Sequence, residues 1–224
     1  MADADRGDEA ALVGGAPDPR VAGLIAFHRQ RKRDSRERLL EAAMSNFCDR
    51  GYLPVSVEDI ASAAGVSRMT FYRHFKGKAD LAADLFRVTA EAAMPLYVRI
   101  AAMEFEKRLV VVEWIAAIFD ADRANRHLLR VFIQATADEG DFTARAQEFI
   151  DDLIGTLGMS IPAFAVRPDR EDERRRWLEA WLLLYEILDQ SNHSALASGV
   201  ASDPLVIEIL ADRFLDFVST RSER

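Results

Sequence analysis

The chain has 224 residues and a formal net charge of −8, a length that suits one or two compact domains with a sizeable core. Half of the residues are hydrophobic and the single cysteine excludes an internal disulfide or a cysteine-rich zinc site. No signal-peptide pattern is visible, and the longest apolar run, 109–119, contains Glu113 and is too short to cross a bilayer. We therefore expect a cytoplasmic protein.

Charge is divided unevenly along the chain. Residues 28–80 hold eleven Lys and Arg against seven Asp and Glu, whereas the stretches on either side are acidic. A basic segment within an acidic chain is typical of a protein that presents one face to phosphates. An enzyme with scattered charge does not show such a focus.

The N-terminal residues, 1–34, are predicted to form a flexible, partly basic extension. Their beginning is rich in Ala, Gly, Asp and Pro, and residues 20–32 can extend a helix into the basic cluster 29–38. This cluster has two interpretations, an arm that reaches the minor groove or the phosphates, and the solvated start of the first helix. Its position beside the motif favours an arm, whereas Asp34 and Glu37 lower its net positive charge. Both interpretations of the cluster therefore stay open.

A three-helix unit is predicted over 35–82. Its first helix starts at Ser35 and closes at Gly51, and its inner face has apolar residues at helical spacing, Leu40, Ala43 and Phe47. Within the unit, residues 56–75 have the pattern of two short helices joined by a tight turn.

The caps of these two helices are visible in the sequence. Ser56 can cap the first helix with Asp59 completing a capping box, and Ser67 can cap the second. Gly65 ends the first helix, because a residue without Cβ adopts positive φ readily. Two helices joined in this way form a helix-turn-helix, which lays its second helix in the major groove of DNA.

The same residues resemble a known family. The matched positions run from the first helix through the motif to the start of the next helix: Leu39 to Ala43, Phe47, Gly51, Tyr52, Val57, Ile60, Ala61, Ala64 to Ser67, Phe71, Tyr72, Phe75 and Lys78. Over roughly residues 35–82 the sequence is similar to the TetR/AcrR family of bacterial repressors. The resemblance implies an all-α fold, in which this N-terminal DNA-binding domain is followed by a larger helical domain, 83–224, for ligand binding and dimerisation.

Candidate DNA contacts follow from the motif and from the resemblance. Arg suits guanine bidentately, whereas the methyl group of Met or Thr suits thymine. The candidates for base contact lie on the second helix: Arg68, Met69, Thr70 and Arg73. The candidates for phosphate contact are Ser56, Ser67, Tyr72, His74 and Lys78. The alternative is that Tyr72 and His74 pack the module and that Lys78 is a solvated helix start.

Beyond the motif every segment is predicted as helix. A long helix is expected from about 79 to 94, with Pro95 marking a kink or a boundary. Further helices are expected near 107–120, 125–138, 142–158, 169–198 and 204–221. The group Asp120, Asp122 and Asn125 lacks the Gly and the closing Glu of a calcium loop and is interpreted as a helix start.

Signals for a small-molecule effector are weaker. Candidates for an apolar pocket are Tyr97, Ile100, Met103, Trp114, Phe119 and Phe132, with polar groups among Gln134, His127, Asn192 and His193. A second row follows one helical face and is more typical of core or dimer contact than of a ligand site: Trp177, Trp181, Tyr185 and Leu188. An effector near Tyr97, Ile100 or Trp114 would use the helix 79–94 as a lever on the DNA-binding unit.

The function predicted from these features is a TetR-like transcriptional regulator, most simply a repressor, with double-stranded DNA as its partner. It would bind an inverted-repeat operator as a homodimer and be released by a small apolar effector. The resemblance implies dimerisation through the last two helices, whose apolar rows are Leu178, Trp181, Leu182, Tyr185 and Leu188, and Leu205, Ile209, Leu210, Phe214 and Phe217.

Two other classes stay open. One is a DNA-binding adaptor or architectural factor without an effector, and the other is an enzyme with a DNA-binding head. No catalytic motif, metal-ligand spacing or cofactor motif is present in the sequence, so we expect no enzyme activity, no metal and no cofactor. The operator, the effector and the direction of regulation are not specified by the sequence.

Overall fold

The computed structural model describes residues 19–136, 141–197 and 199–219, with side chains over 33–135, 147–197 and 199–219. Over these residues the chain forms nine α-helices and no strand, which confirms the all-α prediction. Their bounds are α1 Pro19–Arg50, α2 Val57–Ala63, α3 Arg68–Tyr72, α4 Lys78–Val98, α5 Arg108–Ala124, α6 Arg126–Thr136, α7 Asp141–Gly158, α8 Glu171–Leu196 and α9 Pro204–Ser219. Short 3₁₀ turns span Arg99–Ala102, Pro162–Phe164 and Val200–Ser202.

The N-terminal core is built from α1 to α3, the start of α4 and one face of α6. Its centre is aromatic, with Phe47 and Tyr52 at 5.3 Å and Phe71 and Phe75 at 5.7 Å between ring centroids. Residues 128–135 of α6 close this core from the side of the larger domain. The DNA-binding unit is therefore packed directly on a helix of the C-terminal domain.

The C-terminal core is organised around α5, which packs against α8 and α9. Trp114 of α5 is 1% exposed, lies 5.2 Å from the ring of Phe214 and donates a hydrogen bond to the carbonyl of Leu96. Phe164 lies against both Phe214 and Phe217. Of the described residues, none forms a helix long and apolar enough to span a membrane.

Three boundaries differ from those expected. The first helix begins at Pro19 rather than at Ser35, which is buried inside it and accepts or donates a hydrogen bond with His74 at 2.8 Å. Pro95 does not end α4, because losing one N–H removes only one ladder bond while the next turn buries Tyr97. The group 120–125 is the last turns of α5 and not a helix start.

Candidate DNA-binding interface

The helix-turn-helix is fixed by its caps, as the sequence indicated. The side chain of Ser56 accepts from the backbone N–H of Asp59 at 3.1 Å, and Asp59 accepts from the N–H of Ser56 at 2.9 Å. The hydrogen bonds that the Asp59 carboxylate accepts from the N–H and the hydroxyl of Ser56 lower the pKa of Asp59. Ser67 caps α3 by accepting from the N–H of Thr70 at 3.1 Å. Each short helix therefore begins after a serine whose hydroxyl group accepts a hydrogen bond from a backbone N–H of the first turn.

The turn between the two helices depends on Gly65. Its φ is +63°, and its N–H donates to the carbonyl of Ser62 at 3.0 Å. The N–H of Val66 donates to the carbonyl of Ala61, also at 3.0 Å. This pair of bonds satisfies two carbonyls at the end of α2 and turns the chain sharply toward α3.

Helix α3 has one buried and one exposed face. Phe71 is fully buried and anchors the helix to the aromatic core. On the opposite face Met69 is 83% exposed and Tyr72 is 46% exposed, with Arg68 and Arg73 also exposed. A large exposed methionine between arginines on a short, well-anchored helix is a surface suited to reading base edges.

Arg68 is held in a defined orientation on this surface. Its guanidinium lies 2.7 Å from a carboxylate oxygen of Glu58 and 5.5 Å from the ring centroid of Tyr72. It also donates to the hydroxyl of Tyr72 at 3.4 Å. These contacts link α2 to α3 across the exposed face, and they leave other N–H groups of the Arg68 guanidinium for a further acceptor.

Two of the predicted phosphate contacts are directed into the protein. His74 is hydrogen-bonded to Ser35 through Nε2. Lys78 donates to the carbonyls of Tyr52 and Leu53 at 2.9 and 3.3 Å, and its Nζ lies 4.1 Å from the Tyr52 ring centroid. The geometry favours the packing interpretation for His74 and a structural link between α4 and the turn after α1 for Lys78.

The serine caps are partly committed to local bonds. The hydroxyl of Ser56 also donates to Asp59 at 2.7 Å, so a phosphate there would meet a carboxylate. The hydroxyls of Ser67 and Thr70 are 3.0 Å apart and share one hydrogen bond. Among the predicted contacts, Arg68, Met69, Tyr72 and Arg73 are therefore the ones most directly presented to a partner.

The basic cluster 29–38 is described only from Arg33 onward. Arg36 forms an ion pair with Asp84 of α4, whose side chain is 10% exposed, and lies over the ring of Phe75. This arginine is part of the fold rather than of an arm. Arg33 and Arg38 are exposed, and their contact with DNA stays a prediction.

The comparison with known families agrees with this geometry. The profile of bacterial regulatory proteins of the tetR family matches residues 39–85, which span the end of α1, the helix-turn-helix and the start of α4. Residues 39–85 are therefore similar to the DNA-binding part of the TetR/AcrR family of transcriptional regulators. The match indicates a helix-turn-helix unit of the kind that transcriptional regulators use to bind DNA.

Proteins that are similar over part of this chain are transcriptional regulators. The transcriptional regulator AcrR of Shigella flexneri is 34% identical over 61 residues, 27% of this chain and 28% of AcrR. The transcriptional repressor KstR2 of Mycolicibacterium smegmatis is 38% identical over 52 residues, 23% of this chain and 25% of KstR2. The chain thus matches about a quarter of the length of each.

Likeness over the whole chain is seen at the level of fold. The structure of Salmonella enterica GusR aligns with a TM-score of 0.57 and 21% sequence identity, covering 83% of this chain and 95% of GusR. At this identity the likeness shows a shared fold.

A pocket of about 230 Å³ lies in the C-terminal domain. Helices α4, α5, α6, α7 and α8 contribute its walls, which are mostly apolar. Of the predicted ligand residues, Tyr97, Phe132 and Tyr185 line it, as do Leu188 and Asn192. The row on α4 at helical spacing, Phe86, Ala90, Ala93 and Tyr97, was a usable signal that the sequence interpretation missed.

Several predicted ligand residues lie elsewhere. Ile100 and Trp114 are fully buried core residues, because they fill the space between α4, α5 and α9. Trp177 packs partly buried on the same core, Trp181 stacks on Tyr185 outside the pocket lining, and Met103 is exposed after the 3₁₀ turn.

Gln134 has a different place from the one expected. Its Oε1 accepts a hydrogen bond from the backbone N–H of Tyr52 at 3.2 Å. It therefore joins α6 to the turn that follows α1, and does not line the pocket. The side chain predicted to orient a ligand instead connects the two domains.

Asp122 was interpreted as part of a helix start but lines the pocket. It accepts a hydrogen bond from Ser191 of α8, which is fully buried. Burial raises the pKa of Asp122, and the Ser191 hydrogen bond acts in the opposite direction. Burial, reinforced by the negative charge of Asp122, raises the pKa of Tyr97 above its usual range.

Proposed function

We propose that the chain is a repressor that binds a palindromic operator as a homodimer and releases it when a small, largely apolar molecule occupies the C-terminal pocket. The observation that carries the proposal is the exposed face of α3, with Arg68, Met69, Tyr72 and Arg73 presented on a helix anchored by Phe71. One such helix makes few base contacts, so a symmetric pair on an inverted repeat gives the useful affinity.

Exposed apolar residues on the last two helices support a dimer. Leu178, Leu182 and Tyr185 follow one face of α8 and are 43%, 59% and 46% exposed. Leu205 and Ile209 of α9 are 59% and 52% exposed. The other residues of the predicted α9 row, Leu210, Phe214 and Phe217, are buried in the domain's own core and are not available to a partner. The proposed dimer face is therefore narrower than the sequence suggested.

The pocket is connected to the DNA-binding unit by two helices. Helix α4 forms one wall and begins at Lys78, which is bonded to the turn after α1. Helix α6 contributes Leu128, Leu129 and Phe132 to the pocket and Gln134 to the bond with Tyr52. A ligand that displaces either helix would move both DNA-binding units, and a coupling of about 1–3 kcal/mol would change operator affinity roughly 5- to 150-fold.

The pocket also bears on the alternative of an adaptor without an effector. In such a protein we expect side chains to fill the domain core, whereas here a cavity of about 230 Å³ is lined by the helix that leads to the DNA-binding unit. This observation favours a ligand-responsive regulator.

The test begins with genomic DNA captured by the full-length protein. Sequencing the captured fragments should give an inverted repeat, and binding to one half-site alone should be much weaker than to the pair. Leu182→Glu should weaken binding to the pair by disrupting the dimer, while Leu109→Glu, at a residue 68% exposed on α5, serves as the matched control. Expression of a reporter gene controlled by the operator should rise when the gene for this protein is deleted.

Equal affinity for one and two half-sites would contradict the homodimer. A reporter that falls on deletion would make the protein an activator, and captured DNA without any shared sequence would favour an architectural factor.

A further inference from the structure

The pocket presents a carboxylate among apolar and aromatic walls. From this arrangement we propose that the effector is a small amine, with a cationic group that binds Asp122 and an aromatic or aliphatic body that fills the cavity. The inference rests on the proposed function, since it names the chemical class of the ligand for the same pocket.

The size and the walls of the pocket define the body of the ligand. An apolar cavity of about 150 Å³ can hold benzene, so a volume of about 230 Å³ holds one ring with a short chain. The rings of Tyr97 and Phe149 meet edge to face at 5.4 Å, and both line the pocket together with Phe86, Phe132 and Tyr185. Aromatic faces attract a cation as well as an apolar body.

The charge of the lining defines the polar end of the ligand. Asp122 and Asp189 are acidic, and none of the lining residues that the structure describes is Lys, Arg or His. Asp189 has a nearby partner, since His193 Nδ1 lies 3.4 Å from its carboxylate. Among the residues that the structure describes, Asp122 has a neutral donor, the hydroxyl of Ser191, and no cationic partner. A cation at Asp122 would therefore form a charge-assisted bond in a largely desolvated site.

Tyr97 provides a second polar contact. It is 8% exposed and lines the pocket. A tyrosine combines an apolar ring with a hydroxyl that can donate and accept hydrogen bonds. Tyr97 therefore suits a ligand that has one apolar and one polar part.

An anionic ligand is disfavoured by the same residues. A carboxylate or phosphate ester would have to approach Asp122 without a basic group on the described walls, and like charges in a desolvated site repel strongly. A neutral alcohol can donate to Asp122 but forms a weaker bond than an ammonium group.

Three compounds that share one phenylbutyl or closely similar body test the expected order of affinities, in which a cationic ligand binds most tightly and an anionic ligand most weakly. Phenylbutylamine, phenylbutanol and phenylbutyrate differ only in a cationic, neutral or anionic end, and calorimetry on the full-length protein measures their affinities. We expect the amine to bind at least about tenfold tighter than the alcohol, with the carboxylate weakest. Asp122→Asn should remove most of the advantage of the amine and reduce the affinity of the alcohol much less, because the amide oxygen of Asn still accepts a hydrogen bond from a hydroxyl.

The control is Asp120→Asn, an exposed residue paired with Arg123 on the same helix and outside the pocket lining, which should change none of the three affinities. Tighter binding of phenylbutyrate, equal loss of all three probes in Asp122→Asn, or no binding of any probe would overturn the proposal.

Operator binding separates this proposal from the function on which it rests. If the amine bound as expected but the protein had no affinity for DNA, the proposal of a DNA-binding repressor would be contradicted and the proposed ligand class would not. Intact operator binding without amine preference would contradict the ligand class alone.

Discussion

Replacement of Gly65 tests the geometry of the helix-turn-helix. A Cβ at this position would find Arg38 Nη1 at 3.9 Å as its nearest neighbour, which is ordinary van der Waals contact. Substitution is therefore opposed by the backbone rather than by crowding, because φ is +63°. For a residue with a Cβ the left-handed conformation costs roughly 1–2 kcal/mol, so we expect Gly65→Ala to destabilise by about 1 kcal/mol and Gly65→Val by more, because branching restricts it further.

The matched control is the same substitution at Gly155. This residue lies within α7, and beyond the backbone of its own helix no heavy atom of the described residues is within 4 Å of where a Cβ would stand. Here Ala should stabilise, by about 0.5–1 kcal/mol, because the helix interior favours Ala over Gly. The two variants therefore change stability in opposite directions for purely conformational reasons.

Urea unfolding followed by circular dichroism measures both changes. The tryptophans at 114, 177 and 181 all lie in the C-terminal domain, so their fluorescence reports that domain alone. Gly65→Val should weaken DNA binding, whereas the tryptophan fluorescence should stay that of a folded C-terminal domain. If Gly65→Ala stabilised the protein as Gly155→Ala does, the assigned turn would be wrong.

Three further substitutions test individual contacts. Trp114→Ala should destabilise by about 3–5 kcal/mol in urea unfolding, as expected for a core residue; unchanged stability with altered amine binding would instead place it at the pocket. Gln134→Leu should leave amine affinity intact and reduce the effect of the amine on operator binding, and an unchanged effect would exclude this bond from the coupling. Arg36→Met should lower stability by about 1 kcal/mol, because Asp84 loses one of its two arginine partners and keeps Arg87 at 3.2 Å, whereas lost DNA affinity at full stability would indicate an arm.

Local features of the DNA-binding unit were predictable from the sequence because they depend on neighbouring residues. The capping box of Ser56 and Asp59, the cap at Ser67 and the positive φ of Gly65 each follow from residue types within a few positions. The helices of the C-terminal domain followed from apolar spacing and punctuation in the same way.

Long-range contacts were not predictable, because they join residues distant in sequence. Trp114 and Gln134 looked suitable for a ligand, yet one fills the core against Phe214 and the other bonds to Tyr52. Asp122 looked like a helix start, yet packing brings it to Ser191 and into the pocket. Lys78 was matched to a phosphate contact, and its bonds to backbone carbonyls are visible only in three dimensions.

The central claim, that the exposed face of α3 reads an inverted repeat, is tested most directly by parallel selections from random DNA. Wild type, Arg68→Ala and the control Arg123→Ala, an exposed arginine on α5, would be selected side by side. Wild type and the control should select an inverted repeat. Arg68→Ala should select the same repeat with one or two symmetric positions relaxed, at a cost of about 1–3 kcal/mol per half-site. A consensus that Arg68→Ala leaves unchanged, or wild-type selections without an inverted repeat, would contradict this claim.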